Sequence, residues 1–498
     1  MALSFIQEPT NSSYKIPVIT NWTPLIGYML YRDTSIAALY YYKLVLEVRL
    51  NSSTGALLAK FKQRRNGYSD DVTNNRARAF FDLRDVANSV LVNTVYDQNL
   101  TGIPFSTIHK LGANSYDGGV ARIFSRNGDF TRGEYQITSL YVKGYENYSN
   151  NVDVMPVDIT TDAVNDTMYY MRAALPLLTP RSTVVSPVGY IQDNAFEIYQ
   201  ANNPTDRFLS DAADNNVASG DGWKVTGRIN YIHSGDYHTV AFLNDESVFG
   251  SEAYQMEIEF FDSDGNKIGS TAEIENKQDN GGWIPDGSEG TTVDKHRLLY
   301  FGCGPANLEA FDDGGANNQR PSNHSGWVYY TVRGIGTKAS PTNETDVYYF
   351  VLQDRSCKGY QVRRLGWVSS VGGYDYFNFT KKSTQTIDIK RNNYNSMLGT
   401  FNKSLWRYNN TQRGKTTREV TATLKETLNT GWLTEQDAVF MENLLLSGRV
   451  DVVQNGDTTY TEGVIITDSS FVKKTIANDN LIQYTVNIEY SNPINTNS

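Results

Sequence analysis

The chain has 498 residues, 39% of them hydrophobic and 12% aromatic, which is enough apolar surface to fold and too much length for a single core. A formal net charge of −10 argues against nonspecific binding to nucleic acid or an anionic membrane, because both require a basic face. Two cysteines, Cys303 and Cys357, leave no room for a disulfide framework or a cysteine-rich zinc site.

Thirty-three Tyr and 39 Gly against 8 Met favour strands and tight turns over helical bundles. The expected fold is mostly β, with several β-sandwich-like domains and a few short helices. The N-terminus, Met-Ala-Leu-Ser-Phe-Ile-Gln-Glu-Pro, lacks the basic-then-apolar pattern of a secretory leader. The longest apolar stretch, residues 36–48, contains Lys43 and Glu47 and falls short of the ~20 residues that cross a bilayer, so no membrane insertion is expected.

The first module, 1–110, opens with Leu44, Leu46, Val48 and Leu50 on one strand face and Val45, Glu47 and Arg49 on the other. Asn51 to Gly55 turns the chain into a return strand with Leu57, Ala59 and Phe61 opposite Leu58, Lys60 and Lys62. Asp82, with Asp85 three positions on, caps a short helix whose apolar stripe is Leu83, Val86, Ala87 and Val90. Residues 111–220 read as a loop-rich connection, broken by Gly, Asn, Asp and by Pro176, Pro180 and Pro187.

A β module with long acidic loops spans 221–325. Met256, Ile258 and Phe260 alternate with Glu257 and Glu259 before the turn Asp262-Ser263-Asp264-Gly265-Asn266. This repeats the strand-turn-strand pattern of residues 44–62 and suggests a duplicated domain. Residues 278–326 read as extended surface loops. A module with aromatic strands follows at 326–380, marked by Trp327 to Tyr330 and Val347 to Val351.

The last module, 381–498, is a β domain with one helix. Val420, Ala422 and Leu424 alternate with Thr421 and Thr423. Thr434 as N-cap and Asp437 at N3 start a helix with Ala438, Met441, Leu444 and Leu445 as its stripe, and Gly448 stops it. Asn455-Gly456 marks a hairpin turn, and Ile482, Tyr484, Val486, Ile488 and Tyr490 form one face of a terminal strand.

No motif for bond chemistry emerges from the chain. His233 and His238 flank Asp236, but no further His or Cys completes a tetrahedral metal site. Asp262, Asp264, Asn266 and Glu273 fall at calcium-loop spacings, yet Gly265 is misplaced and Lys267 stands where Gly is needed, so a hairpin turn fits better. Gly302-Cys303-Gly304-Pro305 lacks the Gly-Lys-Ser/Thr of a phosphate loop, and neither Cys sits in a nucleophile motif; both read as buried small residues. The expectation is therefore no catalytic, cofactor-binding or metal-binding residue and no enzymatic activity. Charge is segregated instead: Lys381, Lys382, Lys390, Arg391, Lys403, Arg407, Arg413, Lys415 and Arg418 crowd one segment, and residues 205–316 are acid-rich. Such segregation suits head-to-tail contact between identical subunits, and it equally suits two solvated faces.

Cys357-Lys358, then Arg364-Leu365-Gly366-Trp367-Val368-Ser369-Ser370-Val371-Gly372-Gly373-Tyr374-Asp375-Tyr376-Phe377-Asn378-Phe379, resembles a group of virion proteins of tailed phages, especially those infecting Bacteroidetes. The likeness extends through Gly431 to Glu435, the helix to Ser447, and Val464 to Ser470, and more loosely to Phe81-Asp82-Leu83. It implies a structural part of the tail, neck or baseplate, found in the virion after synthesis in the host cytoplasm. Its expected partners are copies of itself in a ring and other phage virion proteins, with no sequence-specific nucleic acid. Two rival readings remain open: a receptor-binding tail protein that stacks Tyr and Trp on host glycans, and a glycan-cleaving tail enzyme with two carboxylates in one cleft.

Overall fold

Alternation of apolar and polar side chains runs through most of the sequence, and strands are what it forms. The structure, a computed structural model, describes residues 3–7, 18–19, 27–50, 52–64, 75–90, 124–126, 137–171, 208, 210–212, 214–218, 224–245, 255–275, 296–310, 316–335, 345–353, 360–369, 373–407, 411, 414–454, 460–468, 482–492 and 494. It is mostly β, in several multi-stranded sheets with few short helices. The chain divides into two units, one of residues 1–352 with 368–375 and one of residues 353–367 with 376–498.

The first unit begins with a sandwich. Strands β1 (Leu3–Gln7), β3 (Gly27–Arg32) and β6 (Ala77–Asp82) make its small sheet, ordered β1-β3-β6. Strands β2 (Val18–Ile19), β4 (Tyr40–Leu50), β5 (Leu57–Gln63), β8 (Ile137–Ser149) and β9 (Val157–Met171) make the larger one, ordered β2-β9-β8-β4-β5. Helix α1 (Arg84–Val90) follows β6, and the Asp82 carboxylate accepts from the Arg84 N–H at its start. Tyr28, Leu30, Ala79 and Phe81 from one sheet meet Leu44, Leu46, Val48, Leu140 and Val142 from the other in a common core, closed by Leu83 and Ala87. Burying that apolar surface is the main stabilising term.

Two details differ from the pattern in the sequence. The register slips between Val48 and Arg49, so Arg49 faces Leu57; Leu58 then packs toward the core and Leu57 is exposed. Val45, on the strand face expected to be polar, is fully buried. Residues 111–220, read as loop-rich, contain the long hairpin β8–β9, which pairs directly with β4. The hairpin escapes a periodicity reading because β9 carries Asp158, Thr160, Thr161, Asp162 and Asn165 on exposed ground, with Thr160 to Ala163 bulging out of the ladder.

The second sandwich repeats the larger sheet of the first and one strand pair of its small sheet. Strand β7 (Phe124–Arg126) adds to a small sheet with β12 (Thr239–Asp245) and β15 (His296–Gly302), ordered β12-β15-β7. The larger sheet contains β10 (Asp214–Ala218), β11 (Lys224–Ile232), β13 (Gln255–Phe261), β14 (Lys267–Glu275), β16 (Tyr329–Ile335) and β17 (Tyr348–Leu352). Its order, β10-β11-β17-β16-β13-β14, contains the path β11-β17-β16-β13-β14, the counterpart of β2-β9-β8-β4-β5. In each, three antiparallel pairs end in one parallel pair, β2 with β9 and β11 with β17.

The small sheets share one pair, β3–β6 with β12–β15, but differ in their third strand, since β1 pairs with β3 whereas β7 pairs with β15. Tyr28 faces Phe81 across β3 and β6, and Val240 faces Phe301 across β12 and β15; helix α2 (Pro305–Ala310) then stands where α1 does. Leu83 and Cys303, both buried, occupy matching places before those helices. The duplication suggested by residues 44–62 and 256–274 is therefore carried by the five-strand path of the larger sheets and by the pairs β3–β6 and β12–β15, while β10 has no counterpart among the described residues. It also draws in stretches read differently: His296–Gly302 and α2 form a strand and helix inside the expected loops of 278–326, and β16 and β17, read as part of a separate aromatic module, complete the second sandwich.

The second unit is one sheet with a helix against it. Strands β18 (Arg363–Val368), β19 (Tyr374–Phe379), β20 (Thr384–Asn395), β23 (Lys415–Asn429), β24 (Val450–Gln454), β25 (Tyr460–Ile466) and β26 (Thr485–Tyr490) are ordered β19-β18-β24-β25-β26-β23-β20. Helix α3 (Glu435–Leu446) has the expected capping box: Thr434 Oγ1 accepts from the Asp437 N–H, and the Asp437 carboxylate accepts from the Thr434 N–H. Met441 and Leu444 are fully buried, and Phe440 joins them against Trp367 with ring centroids 4.8 Å apart. Ile482, Tyr484, Val486, Ile488 and Tyr490 all enter this core. The turn expected at Asn455-Gly456 lies outside the described residues, though the strands on either side of it pair.

Candidate functional site

The second unit carries an arm. β20 and β23 pair from Thr384–Thr427 to Asn395–Lys415, whereas β23 pairs with β26 only over Lys425–Asn429. From Leu424 outward to Lys415, β20 is the one strand neighbour of β23 among the described residues, which at ~3.3 Å per residue makes a ribbon about 30 Å long. Strands β21 (Thr400–Asn402) and β22 (Leu405–Arg407) form a small hairpin at its tip. Gly399 shapes that tip: its φ is +94°, and a Cβ there would lie 2.5 Å from the Trp406 indole nitrogen.

Every residue of β20 is exposed. Ile387 and Ile389 share a face with their partners Leu424 and Ala422, and Arg391 with Val420, so an apolar stripe runs along the ribbon. At the tip, Tyr394, Met397, Leu398, Phe401, Leu405 and Trp406 are exposed, Met397 at 78% and Phe401 at 67%. A two-stranded ribbon in water is marginal by itself, and a contiguous apolar surface of this kind marks a binding surface. Residues 384–425 also hold eight Lys and Arg against two carboxylates, Asp388 and Glu419. In a chain of net charge −10, that concentration of cations gives the arm a sign opposite to the rest.

The root of the arm is a buried carboxylate cluster. Glu426, 1% exposed, accepts from Arg363 Nε at 2.9 Å, Tyr490 Oη at 2.7 Å and Gln385 Nε2 at 3.2 Å. Burial alone would raise its pKa, but the hydrogen bonds from Arg363, Tyr490 and Gln385 outweigh that and hold it below the ordinary carboxylate range. The Tyr490 phenol is pushed up, by burial first and then by the neighbouring carboxylate. Glu426 thus ties β18, β20, β23 and β26 together where the ribbon leaves the sheet. On the other face Lys425 pairs with Asp388 at 2.6 Å, raising the lysine and lowering the aspartate.

The residues singled out for metal or catalytic chemistry serve the second sandwich. The Asp236 carboxylate accepts from the His233 N–H at 2.8 Å, its carbonyl accepts from the Ala306 N–H, and the His238 N–H donates to Asn307 Oδ1, fastening this segment to the start of α2. The His238 ring packs edge-on against Phe350. Asp262 Oδ1 accepts from the Asp264 and Asn266 N–H groups in the β13–β14 turn, with Gly265 at φ +79°, and the backbone bond from Asn266 leads those that lower its pKa. Glu273 stands on β14, facing Glu257 across the hairpin. Cys303 is buried, and its carbonyl accepts from Tyr330 Oη; Cys357 lies outside the described residues. Among the described residues, no three His, Cys, Asp or Glu side chains are grouped to hold a metal ion, and no helix is long and apolar enough to cross a membrane.

Charge segregation pointed to the segment 381–418, but not to its shape. The missed signal was Ile387 and Ile389 at strand spacing opposite Val420, Ala422 and Leu424, with aromatic residues between the two strands. No protein-family model matches this sequence, and neither does any curated protein.

Proposed function

We propose that this chain is a structural component of a tailed-phage virion that assembles with copies of itself into a ring in the tail, neck or baseplate and contacts other virion proteins there. The observation that carries the reading is the arm, a basic ribbon whose strand β20, with Ile387 and Ile389, and whose apolar tip are open to solvent in the single chain. Covering it requires another macromolecule, and the resemblance around Arg364 to Phe379 supplies the setting. Packed sandwiches give rigid bodies, and arms that reach neighbours lock them, so the part transmits position and force without bond chemistry. Obligate contacts of this kind bury more than ~2,000 Å² each.

Negative-stain imaging of the purified protein, with its mass in solution, tests the reading. Closed rings of many chains are expected. A stable monomer with affinity for glycans would overturn it in favour of receptor binding.

A further inference from the structure

A second exposed apolar surface lies on the first sandwich, and its chemistry complements the arm. The turn of the β8–β9 hairpin presents Val152, Val154, Met155 and Val157 to solvent beside Tyr40 and Tyr41, with Met155 87% exposed. The turn is built by hydrogen bonds of its own: the Asn151 N–H donates to Ser149 Oγ, the Asp153 N–H to Asn151 Oδ1, and the Val154 N–H to the Asn151 carbonyl. Tyr41 stands at φ +57°, where the β4–β8 ladder slips between Tyr40 and Lys43, and its hydroxyl donates to the Val152 carbonyl at 2.9 Å. A non-glycine residue held in that region costs free energy, and such strain gathers at binding surfaces.

The charge is also opposite. Residues 137–171 hold five carboxylates and one lysine. Glu146 is buried and paired with Arg32, and Asp158 is shared by Lys60 and Lys62, but Asp153 in the turn and Asp162 further along β9 are exposed.

Resting on the ring reading above, we propose that the arm tip of one copy seats on this hairpin patch of a second copy, apolar on apolar and Lys/Arg against Asp. The contact joins two different surfaces, so it is heterologous and closes into a ring when the rotation per subunit allows. Nucleic acid fits the cations of the arm but gives no cover to Ile387, Ile389, Met397 or Leu405, whereas a protein patch covers both.

The test uses two full-length double variants at exposed positions, Phe401→Asp with Leu405→Asp on the arm and Val154→Asp with Met155→Asp on the patch. Circular dichroism and melting temperature check that each still folds. Wild type is expected as a multimer and each variant at the single-chain mass of 55.9 kDa. An equimolar mixture should give twice that mass and nothing larger, since each mixed pair has one intact arm and one intact patch. Either variant assembling like wild type, or a mixture that stays at the single-chain mass, overturns the inference while leaving the ring reading standing. A monomeric wild type overturns both. An arm variant that keeps the wild-type mass and instead loses binding to a single-stranded oligonucleotide overturns it in favour of a nucleic-acid element.

Discussion

Replacing Glu426 with Gln tests whether the arm is anchored by charge. Arg363 loses its carboxylate while its side chain remains only 16% exposed, and the Tyr490 hydroxyl loses a charged acceptor. A hydrogen bond to a charged group contributes about 1.5–3 kcal/mol, and breaking one side of a buried ion pair costs about 3–5 kcal/mol. Gln preserves the shape and one acceptor oxygen, which brings the expected loss to about 2–4 kcal/mol. In urea, with a slope of about 2 kcal/mol per molar, the midpoint for the second unit should fall by about 1–2 M. Hydrogen exchange should report faster amides in β20 and β23 than in α3.

The pH dependence gives an independent readout. Because the folded pKa of Glu426 is depressed, its contribution is complete above the unfolded carboxylate value of about 4.3 and fades as pH falls through the folded value. Wild type should therefore lose more stability than Glu426→Gln on going from pH 5 to pH 3. A variant within ~0.5 kcal/mol of wild type at pH 7, the range of ordinary surface substitutions, would refute the anchoring argument, as would an unchanged acid slope.

Other substitutions probe the parts that hold the two units. Met441→Ala, on the fully buried face of α3, should cost about 2–5 kcal/mol in chemical denaturation, since the site combines lost burial with a cavity. Thr434→Ala removes one half of the capping box and should cost about 1 kcal/mol, with faster exchange confined to the first turn of α3. Gly265→Ala places a Cβ at φ +79° in the β13–β14 turn and should lower the stability of the first unit by about 1–2 kcal/mol, read as a drop in its melting temperature.

Much of the fold was legible locally. The alternation of Ile482 to Tyr490, the hairpin of Leu44 to Phe61 and the Thr434/Asp437 cap each depend on neighbours a few residues away, where strand and helix periods leave a direct imprint. The duplicated sandwich was only hinted at by two similar hairpins. Its proof lies in the pairing of β9 with β2 and of β17 with β11, across separations no local pattern encodes. β8 and β9 were hidden because a strand with one wet face in an Asp- and Thr-rich stretch has the composition of a loop.

The candidate site divides in the same way. Residue types alone make 381–418 basic and 205–316 acidic, and show which side chains along Ile387–Ile389 and Val420–Leu424 are apolar. Folding then separates them: Ile387 and Ile389 stay exposed, whereas Ala422 is buried and Leu424 packs against the core of the second unit. Burial depends on whether another layer lies over a strand face. β26 pairs with β23 only as far as Lys425, so the ribbon runs beyond the sheet and Ile387 and Ile389 on β20 remain open to water.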